Sequence, residues 1–234
     1  MSHVLIVGSS STIATALAQK LSDRDRVFGL TRTPKSSAGG WENIATDYSE
    51  SSLEQIADRL QTDCGSLDLV ISCVGVLHDA IVSPEKRLSH ICAAGLQHYF
   101  YVNTIIPALL IKYFSPLLPR DRPSQFAILS AKVGSIGDNF LGGWYGYRSS
   151  KAALNMTVKT AAIELARTHK QTCIVAIHPG TTESPLSAPF TQRLSADRLY
   201  SPHVTAQRIL EVISGLDASE SGNFFNWNGD RLPW

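Results

Sequence analysis

Tyr147 and Lys151 stand four residues apart in the run Gly-Gly-Trp-Tyr-Gly-Tyr-Arg-Ser-Ser-Lys-Ala-Ala-Leu at 142–154. Four residues is just over one helical turn, so in a helix both side chains leave the same face. An ammonium beside a phenol favours the phenolate and draws the tyrosine pKa down from its ordinary ~10. A tyrosine tuned in this way can give and take a proton near neutral pH. The spacing alone suits a tyrosine packed on a lysine stem equally well, so the chemistry depends on the elements that hold the pair. Tyr145, six residues from Lys151, falls on a different helical face.

Apolar runs at 4–7, 26–30, 43–46, 67–73, 125–130, 173–178 and 223–227 predict strands. Helices are predicted between them at 12–21, 52–62, 96–114, 147–169 and 202–216. Strands that are apolar almost throughout belong to a parallel sheet covered on both faces. Right-handed crossovers then give an α/β fold, a Rossmann-type doubly wound parallel sheet of about seven strands with helices on both faces. Such sheets bind ligands at the carboxyl ends of their strands, and Gly8, Gly75, Ser130 and His178 all fall there. With 234 residues and no repeat or long linker, one domain over 1–234 is expected.

The run Gly-Ser-Ser-Ser-Thr-Ile-Ala at 8–14 lies between the first strand and the first helix. There the free N–H groups and positive end of a helix can meet a dinucleotide pyrophosphate. Gly8 lets the chain turn, and Ser9, Ser10, Ser11 and Thr12 offer hydroxyls ahead of Ile13, although the same residues would also serve as an ordinary helix cap. At the end of the second strand, Thr31 and Arg32 replace the acidic residue that would accept ribose hydroxyls. A hydroxyl and a cation suit a 2′-phosphate, so NADP(H) is expected in preference to NAD(H); the plain alternative is a solvent-exposed loop arginine. Asp47, after the third strand, is a candidate partner for the adenine amino group, and Gly75 for a close approach of backbone to the adenosine ribose.

Composition bears on what else the chain could bind. Hydrophobic residues make up 44% and charged residues 18%, the balance of an ordinary soluble globule. A net charge of +1 gives no electrostatic case for nucleic acid or an anionic membrane. Cys64, Cys73, Cys92 and Cys173 form neither a metal-ligand spacing nor a disulfide framework, so reduced thiols and no metal are expected. No apolar stretch reaches the ~20 residues of a membrane span, and the first strand begins too early for a signal peptide. A cytoplasmic protein with a small-molecule partner is the expectation. His178 reads as a packed histidine, and His98 with Tyr99, Phe100 and Tyr101 as core or interface.

Taken together, the Gly8 turn, Asp47, Gly75, Asn103 in Tyr-Val-Asn-Thr, Ser130, Tyr147 with Lys151, and Pro179-Gly180 resemble the short-chain dehydrogenase/reductase family along nearly the whole chain. Val-Gly-Ser-Ile-Gly-Asp-Asn at 133–139, Gly-Gly-Trp-Tyr and the Leu-Pro-Trp at 232–234 resemble its C-factor-like branch, that of the cell-cell signalling C-factor. The resemblance implies that Tyr147 protonates a carbonyl oxygen during hydride transfer, or deprotonates an alcohol in reverse. It implies that Lys151 lowers the tyrosine pKa and bonds the nicotinamide ribose, and that Asn103 holds a water for proton relay. Pro179-Gly-Thr-Thr-Glu-Ser at 179–184 corresponds to the segment that orients the carboxamide, with Thr182 and Ser184 as the hydroxyl candidates. The long helices of similar proteins pair between subunits, which implies a homodimer or homotetramer and fits the small face of Ala152, Ala153 and Met156.

The chain departs from the family pattern twice. Thr12 and Ala14 replace glycines of the phosphate loop, where Thr12 can still cap the helix. After the fifth strand the order is Ser130-Ala131, which places alanine where a catalytic serine is usual; Ser130 is the first substitute and Ser135 the second. The substrate is expected between 139–145 and a segment at about 184–201, in a partly apolar pocket that includes Trp144, Leu186 and Phe190. An NADP(H)-dependent oxidoreductase that interconverts a carbonyl and an alcohol is the reading. The alternatives are a nucleotide-binding signalling or regulatory protein of the same fold with little turnover, and a doubly wound methyltransferase, which the Tyr-Lys pair disfavours.

Overall fold

Leu5 and Val7 point into one apolar cluster and Val4 and Ile6 into another, all four cut off from solvent. A strand buried on both faces must lie in the middle of a layered structure. The computed structural model describes residues 1–34, 40–191, 195 and 198–234, and places this strand, β1 (His3–Val7), at the centre of a sheet. Around it stand β2 (Arg26–Thr31), β3 (Glu42–Ala45), β4 (Leu69–Ser72), β5 (Ser124–Leu129) and β6 (Thr172–His178). A short parallel pair, β7 (Thr181–Thr182) with β8 (Leu199–Tyr200), precedes β9 (Phe224–Asn226), which completes the main sheet. The order β3-β2-β1-β4-β5-β6-β9 is parallel at every pairing. Its direction of growth reverses between β1 and β4, where a ligand crevice opens at the carboxyl ends.

Among the described residues six helices cover the sheet: α1 (Thr12–Leu21), α2 (Glu50–Cys64), α3 (Ala93–Phe100), α4 (Ile106–Phe114), α5 (Tyr145–Thr168) and α6 (Pro202–Ser214). Leu17 of α1 and Ile209 of α6 share a cluster with Val4 and Ile6 on one face. Leu53 of α2, Leu110 of α4 and Leu154 and Val158 of α5 share the other with Leu5 and Val7. The doubly wound α/β sheet expected from the apolar pattern is therefore the architecture observed.

Among the differences from the sequence reading, three have identifiable reasons. The helix predicted at 96–114 begins at Ala93 and is interrupted by a π-helical turn, Tyr101–Ile105, that periodicity does not signal. The stretch Ala93–Leu117 is 25 residues of helix containing an 18-residue window of mean hydropathy 1.2, long and apolar enough by length and composition to span a membrane, contrary to the expectation that no stretch would be. Tyr99, Leu110 and Phe114 within it are fully buried in the protein, so core burial accounts for part of its apolarity. Helix α5 starts at Tyr145, two residues earlier than expected, because the turn before it is held from outside.

Candidate active site

The turn after β1 is shaped by Gly8. Its φ of +79° is left-handed, and a Cβ there would come within 3.3 Å of the Cys73 carbonyl carbon. Glycine is therefore needed both for the turn and for the close packing of β1 on β4. The four hydroxyls expected here have separate fates. Ser9 turns inward and donates to Asn43 Oδ1 at 3.1 Å. Ser11, not Thr12, caps α1, accepting from the Ala14 N–H at 3.4 Å; Thr12 is the first helical residue. Ser10 is exposed and Thr12 and Ile13 are half-buried. The first-turn N–H groups of Thr12 and Ile13 have no intrahelical partner, and that turn contains no acidic residue, so the helix end suits an anion.

Arg32 is exposed at the end of β2 and has no ion-pair partner among the described residues. The Tyr48 phenol feels both Arg32 and Gly8. Burial pushes the Tyr48 phenol up to about 12, against the opposing pull of Arg32 and the Gly8 N–H. Sequence reasoning passed over this tyrosine, whose backbone is left-handed at φ 63°. Asp47 beside it is exposed and accepts from the Ser49 N–H at 2.8 Å, and hydrogen bonds from Ser49 hold its pKa below the ordinary value.

Tyr147 and Lys151 both occupy the buried face of α5. Lys151 Nζ donates to the Leu129 carbonyl at 3.0 Å. A Cβ on Gly75 would lie 3.3 Å from that Nζ and 3.4 Å from Asn103 Oδ1, so Gly75, Lys151 and Asn103 meet at one point. Asn103, on the π-helical turn, accepts from the Val76 N–H at 2.8 Å and donates to the Val76 carbonyl and the Ser150 hydroxyl, each at 3.0 Å. π-Turns often mark functional sites because the extra residue re-aims a side chain. Here it aims an amide at the loop after β4.

The expected electrostatic tuning of Tyr147 is not what this geometry produces. Burial alone pushes its phenol above the ordinary value, with no pull from Lys151. Burial also pushes Lys151 down to about 8, partly offset by Cys73. Desolvation disfavours the charged form of each group, and in this arrangement no attraction between the two offsets it. His178 is likewise held neutral, pushed down to about 4 by burial and by Lys132, with its Nδ1 buried and without a hydrogen-bond partner.

Both substitute serines have hydrogen-bond partners other than Tyr147. Ser130 is buried and donates to Asn155 Oδ1 of α5 at 2.7 Å. Ser135 donates to the Trp234 carbonyl at 3.4 Å and accepts from the Asp138 N–H at 3.1 Å. Ala131 is the residue that packs in the cluster of Tyr147, Tyr99, Val76, Leu77 and Val82. In this structure the Ser130 hydroxyl ties α5 to the end of β5.

Beyond β6, Gly180 takes a left-handed φ of +78° against the rings of Trp227 and Tyr200. Pro179 and Gly180 are half-buried. Thr182 is buried and its hydroxyl shares a hydrogen bond with Thr205 at 2.8 Å; Ser184 donates to the Thr182 carbonyl at 3.3 Å. The substrate segment expected at 184–201 is described except at 192–194 and 196–197. Within it, Phe190 stands 5.2 Å from the Trp144 ring and 5.6 Å from His78, and Trp144 stands 6.2 Å from Tyr147. His78 Nε2 lies 3.1 Å from the Leu186 carbonyl oxygen. An aromatic wall therefore runs from the segment to Tyr147.

A family model described as Enoyl-(Acyl carrier protein) reductase matches residues 7–212. The chain belongs to the short-chain dehydrogenase/reductase family. As a member it is an oxidoreductase. This short-chain dehydrogenase/reductase is 30% identical over 240 residues to 1-hydroxy-2-glutathionyl-2-methyl-3-butene dehydrogenase of Rhodococcus sp. strain AD45, with 100% of each chain covered. It is 30% identical over 170 residues to C-signal of Myxococcus xanthus, covering 73% of this chain and 94% of that one, in keeping with the C-factor-like motifs. The NADPH-bound carbonyl reductase from chicken fatty liver shares the fold at a TM-score of 0.86 and 22% identity, over 100% of this chain and 99% of that one.

Besides Tyr48, the site of this dehydrogenase/reductase includes Glu85, Ser150 and Asn155, none of which the sequence singled out. Ser150 and Asn155 could have been found as polar residues on the predicted buried face of a long helix. For Glu85 the only sequence signal was a charged residue in a loop after a strand.

Proposed function

We propose that this protein is an NADP(H)-dependent oxidoreductase that interconverts a carbonyl and an alcohol, with Tyr147 as general acid and base. The observation that carries the reading is the meeting of Lys151, Asn103 and Gly75 at the carboxyl ends of β4 and β5, with Tyr147 one turn earlier on the same buried face of α5 and packed against Val76. Bound there, a nicotinamide dinucleotide supplies or accepts the hydride. Gly8, Ser10, Ser11, Thr12 and Ile13 would hold its pyrophosphate, Asp47 and Gly75 its adenosine end, and Pro179, Gly180, Thr182 and Ser184 its carboxamide end. Arg32, cationic and unpaired by a carboxylate among the described residues, would meet a 2′-phosphate, which supports NADP(H) over NAD(H).

For reduction, the buried phenol of Tyr147 is in its protonated form and is therefore ready to donate to a carbonyl oxygen. Lys151, one turn along the same buried helix face, would offer a cation to the phenolate that results. Trp144 and Phe190 exclude water and favour a carbonyl with an apolar or aromatic body. Ala131 offers no hydroxyl, so the substrate oxygen relies on Tyr147.

The test is oxidation of NADPH and of NADH with benzaldehyde, acetophenone and menadione, for the parent protein, Tyr147→Phe and Arg32→Ala. Turnover with a lower Michaelis constant for NADPH, lost in Tyr147→Phe by about 10²-fold or more, is expected. Arg32→Ala is expected to raise the constant for NADPH and leave that for NADH unchanged. Nucleotide binding with no turnover of any of the three carbonyls would favour the regulatory alternative.

A further inference from the structure

We infer that Glu85 is a positioning residue for Tyr147, acting through the first turn of α5; this rests on the reading of Tyr147 as proton donor. Helix α5 begins with a weakness. Its N-cap, Trp144, makes no side-chain cap hydrogen bond, and its first turn contains no acidic residue. The opening N–H groups of a helix lack intrahelical partners, and where they are buried that deficit is costly.

Glu85 makes good the deficit from another part of the chain. It lies in the loop after β4 and is only 6% exposed. Its main-chain carbonyl accepts from the Trp144 N–H at 2.6 Å, and its carboxylate accepts from the Gly146 N–H at 3.1 Å. One residue thus grips the chain at both positions flanking Tyr145, immediately before Tyr147. A carboxylate is well suited to that place, because the N-terminal end of a helix carries partial positive charge.

Two neighbouring features show that the arrangement is specific. A Cβ on Gly146 would fall 2.8 Å from Glu85 Oε1 and 2.4 Å from Tyr99 Cδ2, so only glycine lets the carboxylate and that ring lie against the helix start. Gly142, Gly143 and Trp144 are three consecutive left-handed residues, with φ of 64°, 66° and 55°. For a tryptophan that backbone is strained. The grip of Glu85 holds the strained turn, and the turn places the Trp144 ring against both Tyr147 and Phe190. Loss of the grip would let the phenol and the aromatic wall move together.

The experiment compares Glu85→Leu, Glu85→Gln and Gly146→Ala with the parent, reading kcat with NADPH and the fastest of the three carbonyls above, the dissociation constant for NADPH, and the thermal midpoint. Glu85→Leu and Gly146→Ala are expected to lose about 10²-fold in kcat, since ångström-scale misplacement of a reacting group has that effect. Glu85→Gln keeps an oxygen acceptor and is expected to retain kcat within about threefold, with NADPH affinity unchanged in all three. Should Glu85→Leu not fold, Glu85→Asp, which draws the carboxylate back by one methylene, takes its place with the same expectation. The inference is overturned if kcat is retained in both disruptive variants, if Glu85→Gln falls as far as they do, or if NADPH affinity falls in step with kcat. Tyr147→Phe separates the two readings: inactive beside an undisturbed Glu85→Leu, it overturns this inference alone; as active as the parent, it overturns the proton-donor reading as well.

Discussion

Lys151 shows how burial and function compete at a single residue. Folding moves its pKa from 10.5 down to about 8. Between those values the unfolded chain still holds a proton that the folded chain has released, so this group makes stability rise with pH across the window. Below about 8 the whole cost of a buried ammonium is present. It is on the order of 3 kcal/mol, against about 1 kcal/mol for the hydrogen bond to Leu129. Lys151→Met is therefore expected to be inactive yet more stable than the parent at neutral pH, by about 2 kcal/mol. The difference should shrink as pH rises from 8 to 10.5, which denaturant titrations across that range would show. A parent protein more stable than the variant at pH 7 would contradict the assigned burial cost. In the proposed reaction, reduction should also slow as pH climbs through about 8 and the lysine loses its charge.

At the scale of elements, α5 is the component that unites packing with chemistry. Its buried face carries Leu154 and Val158 for the core, Tyr147 and Lys151 for the site, and Ser150 and Asn155 as ties to the α3–α4 turn and to β5. Because Ser130 is one half of the tie to β5, Ser130→Ala strands the buried Asn155 oxygen. It should cost about 1–3 kcal/mol of stability, with turnover changed less than about threefold. Ala131→Ser, by contrast, puts a hydroxyl into the Tyr147 cluster and should raise turnover, by up to about 10²-fold. Thermal melts and initial rates on the two variants distinguish the roles. A hundredfold loss in Ser130→Ala would return that serine to the substrate oxygen.

The molecule as a whole leaves apolar side chains on its outer helical faces. Tyr101, Ile105, Met156 and Ile163 are each between 45% and 67% exposed, on the π-turn that joins α3 to α4 and on α5. These are the long helices expected to pair between subunits, and burying such a face in a symmetric contact would remove it from water. Light scattering coupled to size exclusion should give a dimer or a tetramer at micromolar concentration; a monomer there would dismiss the expectation.

Much of this was legible in the chain itself. Apolar runs such as 4–7 and 173–178 announced a sheet buried on both faces, because no other arrangement hides every side chain of a strand. Tyr147 with Lys151 and the Gly8 turn could be found by spacing, since helix pitch and left-handed backbone are local properties. Contacts between distant segments were not legible. Only the folded structure decided that Ser130 serves Asn155 and that Glu85 meets Gly146 across 61 positions of chain. It also decided the direction of the tyrosine shift, because desolvation depends on everything packed around a group and not on the residue four places along the helix.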